Sequence, residues 1–127
     1  PGAGFGVKYA NPGTLPTDIG FSVAFCGNTD IAVAHYNSPY VTAYPWTPGG
    51  GFGIKYANPG TLPTGTGLGV AFYGNTDIAV SHSNPPYIST YPWTPGGGFG
   101  VKYADPGTLP GGGGTEVAFL RGGFWLS

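Results

Sequence analysis

The chain has 127 residues, of which 26 are Gly and 14 are Pro, and its longest stretch free of both runs only from Asn28 to Ser38. That excludes an α-helical domain, because helices rarely stand on so few residues and these are β-branched or polar. With 40% apolar and 16% aromatic residues the chain can bury a core, whereas 7% charged residues and a net charge of -1 leave no basic footprint for nucleic acid and no polybasic membrane anchor.

In chain order, the first predicted strand is Phe5–Tyr9. Val23-Ala24-Phe25 follows and leads through the polar turn Gly27-Asn28-Thr29 into Asp30–His35, which reads as strand, hairpin and strand. After Asn37-Ser38-Pro39, residues Tyr40–Tyr44 read as a further strand, ended by Pro45 because proline cannot donate to a ladder in mid-sheet. Beyond Thr47-Pro48-Gly49-Gly50 comes Phe52–Tyr56, with Phe, Ile and Tyr on one face and Gly and Lys on the other. The same four strands, A to D, then return. Gly4–Pro16 recurs as Gly51–Pro63 and Gly98–Pro110, each displaced by 47 residues. Val23–Gly49 matches Val70–Gly96 at 20 of 27 positions, and Val117-Ala118-Phe119 opens a third copy.

Four short antiparallel strands per repeat at this spacing are what a β-propeller blade requires. In Val-Ala-Phe at strand A, Asp-Ile-Ala-Val-Ala/Ser-His at B, and Tyr40–Trp46 and Tyr87–Trp93 at C, the chain resembles the WD40-like repeat family over essentially its whole length. Its Pro-Tyr-Val-Thr-x-Tyr-Pro-Trp pattern looks like that of phage and environmental-bacterial proteins, which implies an extracellular or virion-associated place. The match departs from the family where strand C should end in Trp-Asp. Tyr44 and Tyr91 stand at the Trp position, Pro45 and Pro92 at the Asp position, and no Gly-His precedes strand A, so the family's hydrogen-bond tetrad is not carried over.

The expected organisation is a partial blade over 1–16, blades over 17–63 and 64–110, and a partial blade over 111–127 whose last strand falls on Phe124–Ser127. Fewer than three blades cannot close a propeller of four to eight. The chain, which starts at Pro1 without an initiator Met, is therefore expected to be a fragment of a longer propeller or to close by homo-oligomerisation. A dimer of about six blades is favoured over a trimer or a fibre. In that scheme the Phe5–Tyr9 strand of one copy completes the last blade of another.

Chemical motifs are sparse. Cys26 is single, no Cys and His spacing resembles a zinc site, and no nucleophile elbow is present, so no enzyme, cofactor or metal is expected. His35 and His82 read as structural, Asp30 and Asp77 as turn-capping residues, and Lys8, Lys55 and Lys102 as solvated charge on the outer strand. No apolar run is long enough for a membrane-spanning helix. The candidate ligand-binding set is Tyr36, Asn37, Tyr40, Trp46, Asn84, Tyr87 and Trp93, where aromatic faces beside turns suit sugar rings and amides suit hydroxyls. The expected function is a non-catalytic structural or interaction module. The alternative is a lectin binding one glycan per repeat.

Overall fold

The structure is a computed structural model that describes residues 4–120. Its strands are β1 (Gly20–Cys26), β2 (Asp30–His35), β3 (Val41–Thr47), β4 (Gly51–Phe52), β5 (Gly67–Tyr73), β6 (Asp77–His82), β7 (Ile88–Thr94) and β8 (Gly98–Phe99). They form two four-stranded antiparallel sheets in the simple orders β1-β2-β3-β4 and β5-β6-β7-β8. Among the described residues there is no helix and no closed ring. Each β1–β2-type hairpin is closed at its turn by a backbone bond, Thr29 N to Cys26 O and Thr76 N to Tyr73 O, both 3.1 Å.

The local reading of strand B holds to the residue, and strand C runs further than expected. β3 continues through Pro45 to Thr47 because the proline sits where its missing N–H is harmless. The Pro45 carbonyl faces β4 and accepts Gly53 N at 2.8 Å, while Trp46 N turns the other way to donate to Thr29 O at 2.8 Å. On the β4 side the ladder is already ending, so Pro45 terminates β4 rather than β3. Strand D is accordingly only Gly51–Phe52 and not Phe52–Tyr56, although Tyr56 N still reaches Ala43 O at 2.9 Å.

Phe5–Tyr9 is not a strand: it is chain outside either sheet, with Phe5 and Val7 almost fully exposed. A D strand pairs with a C strand, and no C strand precedes it among the described residues. Val117–Phe119 likewise joins no ladder, and its expected partner at Phe124–Ser127 lies outside the described residues.

The register sorts each sheet into two unlike faces. One face of the first sheet carries Ala24 opposite Ala32 and Ala43, Ala34 opposite Val41, and Cys26 opposite Asp30. Its other face carries Val23 opposite Val33, and Phe25 opposite Ile31 and Tyr44. The second sheet repeats the scheme, with Val70 opposite Val80 and Phe72 opposite Ile78 and Tyr91 on its bulky face. The shared core joins the small face of the first sheet (Cys26, Ala32, Ala34, Val41, Ala43) to the bulky face of the second (Val70, Ile78, Val80, Tyr91, Trp93). Large side chains fill the depth that alanines leave, and each fully buried large aliphatic or aromatic residue contributes roughly 1.5–3 kcal/mol.

Candidate functional site

Each sheet is tied to the chain segment that precedes it by one buried histidine. His35 ends β2 on the bulky face, fully buried. Its Nδ1 lies 3.1 Å from the Thr17 carbonyl, which only accepts, so Nδ1 carries the proton and Nε2 accepts the Thr42 hydroxyl at 2.7 Å. His82 is held equivalently, Nε2 to the Ser89 hydroxyl at 2.9 Å and Nδ1 to Thr64 Oγ1 at 3.4 Å. Burial pushes both imidazoles below their ordinary value of 6.5, against bonds from neighbouring backbone that favour the charged form. Both rings are thus neutral clasps between a loop threonine, β2 or β6, and β3 or β7.

The seam between the sheets is centred on Asp30. Its side chain is fully buried, accepts the Tyr56 and Thr29 hydroxyls, and meets the Trp93 indole Nε1 at 3.4 Å. Trp93 lies 63 residues away on the second sheet and packs edge-on against Tyr56, Phe72 and Phe99 at centroid distances of 5.1–5.3 Å. Tyr56 OH also accepts Gly96 N at 3.0 Å, so one phenol bridges both sheets. Burial and the Asp30 carboxylate push its hydroxyl up to about 12. Beside this node the Cys26 thiol donates to Gly74 O at 3.3 Å, and at the opposite end of β2 Thr66 Oγ1 donates to Tyr36 O at 3.0 Å. Burial and the nearby carboxylate raise the thiol, which keeps it protonated.

The candidate ligand-binding residues divide into two places. Tyr36, Asn37 and Tyr40 lie around the β2–β3 turn, and Asn84 and Tyr87 around the β6–β7 turn. Trp46 and Trp93 lie at the far ends of β3 and β7, roughly 20 Å along the strand at about 3.3 Å per residue. Tyr36 is half exposed and stacks edge-on with Phe21. The amides are engaged within the fold: Asn37 Nδ2 donates to Asp18 Oδ2 at 3.0 Å and Asn84 Nδ2 to Thr64 O at 2.9 Å. Trp93 is 3% exposed in the inter-sheet core, whereas Trp46 is partly open.

The recurring lysines brace the loop after strand D. Lys55 Nζ donates to Tyr56 O at 3.0 Å and Asn58 Oδ1 at 2.6 Å, and Lys102 pairs with Asp105 in the same arrangement. Among the described residues no three His, Cys, Asp or Glu side chains converge to hold a metal ion.

Sequence reasoning missed the Asp30–Tyr56–Trp93 node, having read Asp30 as a turn cap. The signal was available in the period, since Asp30/Asp77, Tyr9/Tyr56/Tyr103 and Trp46/Trp93 all recur at 47 residues. Comparison with known proteins finds no protein-family model, no curated protein and no solved structure that matches this chain.

Proposed function

We propose that this chain is a non-catalytic structural module whose sheets act as propeller-type blades and that works by self-association. The observation that carries this reading is the one-sided seam, in which the small face of one sheet receives the bulky face of the next, an arrangement that extends by repetition. The groups that offer chemistry are consumed in building it. Both imidazoles are buried and bonded, and the Asp30 carboxylate is closed in by two hydroxyls and an indole. The exposed apolar side chains on the first sheet, Val23 and Phe25 among them, form the kind of patch that marks an interaction surface.

The test is mass in solution across a concentration series, by light scattering coupled to size exclusion. Assemblies that grow with concentration support the reading. A chain that stays monomeric throughout while binding sugars with one site per repeat would replace it with the glycan-binding alternative.

A further inference from the structure

The internal seam specifies what its two outer faces need. On the bulky face of the first sheet, Val23 is 59% and Phe25 53% exposed, whereas Val70, the counterpart of Val23 in the second sheet, is 6% exposed under the first sheet. Trp46 packs on Tyr9, Phe25 and Phe52 as Trp93 packs on Tyr56, Phe72 and Phe99, with centroids 5.2–5.3 Å apart. One contact differs. The Trp93 indole meets Asp30, while the Trp46 indole N–H has no acceptor among the described residues.

The complementary deficit lies on the small face of the second sheet. Asp77 stands where Asp30 stands in the first and has acquired two of the same partners, the Tyr103 hydroxyl at 2.6 Å and the Thr76 hydroxyl at 2.7 Å. Those bonds hold its carboxyl below the usual range, so it is charged at neutral pH, and among the described residues it faces no indole. Beside it an open groove of about 240 Å³ is lined by Ile88, Thr90, Tyr103, Ala104, Asp105 and Pro106. Their counterparts Val41 and Ala43 are fully buried in the core shared with Tyr91.

We infer that a second copy of this chain docks its bulky first-sheet face on the small second-sheet face of the first, placing its Trp46 indole N–H on Asp77. Its residues 4–16, which cover its own Tyr44 through Thr14 O and its Trp46 through Tyr9, give way to residues 98–110 of the first copy, which hold the same place two repeats on, and its Tyr44 then enters the groove. The interface repeats the internal seam with a displacement of two repeats. It joins unlike faces, so the contact is heterologous and copies add head to tail, as a ring if the rotation closes and as a filament if it does not. An isologous dimer would set bulky against bulky, or alanine against alanine, and would leave Asp77 without its indole.

Residues 111–120 lie over part of this face. A Cβ on Gly114 would stand 4.0 Å from Ser81 Cβ, as one on Gly67 would stand 3.2 Å from Ala34 Cβ, and Phe119 tilts on Tyr73 at 5.5 Å. The segment therefore holds the place that the incoming β1 takes. It forms no ladder, so it is displaced without breaking strand pairing.

This inference rests on the self-association reading and names its surfaces, and complementary blocking separates the two. Val23→Arg disables the bulky face and Asp77→Arg the small face, with Thr90→Arg in place of the latter if melting shows that Asp77→Arg unfolds the chain. Each variant alone is expected to be monomeric in light scattering. Mixing them unites the one intact bulky face with the one intact small face, so a 1:1 dimer that grows no further is expected. Asp77→Asn in the otherwise unchanged chain should weaken association about tenfold, from loss of a charge-assisted hydrogen bond. A variant that still self-associates alone, or a mixture that stays monomeric, overturns the interface while leaving self-association standing. An unsubstituted chain that never associates overturns both.

Discussion

At the scale of single residues, repetition supplies an internal control for each side chain. Ser81 occupies the place of Ala34, and its hydroxyl is buried without a hydrogen-bond partner among the described residues. Burying an unpaired hydroxyl costs about 1–3 kcal/mol, so Ser81→Ala should stabilise the chain by about 1 kcal/mol and raise Tm by several degrees in a melting scan. His35 and His82 set the pH response. Their folded values lie below the unfolded value near 6.5, by burial and by the Lys55 and Lys102 charges, with Asp105 opposing at His82. Between the two values the unfolded chain binds more protons than the folded one. Stability is therefore full above about pH 6.5 and falls as pH drops through the folded values. Tm measured between pH 7 and 4.5 should show this decline, and the double variant His35→Gln/His82→Gln should flatten the slope above pH 5 even if it lowers Tm throughout.

Among the elements, β1 and β5 are near copies that meet different surroundings. Each begins with a bulge, at Gly20/Ser22 and Gly67/Gly69, that rotates the first glycine toward the bulky face. In β5 that glycine lies against the first sheet, where a Cβ would come within 2.1 Å of the Tyr40 carbonyl and 3.2 Å of Ala34 Cβ. In β1 the same position meets only Val33 Cγ1, at 3.3 Å. Gly67→Ala should therefore cost about 2 kcal/mol or more through displaced backbone, and Gly20→Ala well under 1 kcal/mol. Chemical denaturation of the two variants reads the difference directly. Equal losses would mean that the seam at Tyr40 is not tightly packed.

For the whole molecule, the seam couples two sheets that share no hydrogen-bonded strand pair. The coupling runs through buried side chains, of which Trp93 touches the most varied set: three aromatic rings and a carboxylate on the opposing sheet. Trp93→Ala should cost about 3–5 kcal/mol. Because the contacts with Tyr56 and Asp30 cross the seam, while those with Phe72 and Phe99 lie within the second sheet, hydrogen exchange should quicken in β2 as well as in β6. Protection that falls in β6 alone would show that the sheets open independently.

The two complete strand sets, their turn positions, the sheet order and the 47-residue period were legible in the chain, because hairpin ladders join residues close in sequence and turn chemistry marks where they fold back. Phe5–Tyr9 and Val117–Phe119, by contrast, have strand-like sequence but join no ladder among the described residues. The Pro45 boundary was misread for a reason one strand cannot reveal: the proline's bare edge faces β4, which is already ending there. What only the tertiary structure decided is which face meets which. Asp-Ile-Ala-Val-Ala-His is apolar on both faces, so alternation names no core side, and only stacking shows that alanines receive the bulky residues. The same holds for Asp30 and Trp93, whose meeting depends on how one sheet sits on the next and is written in neither local pattern.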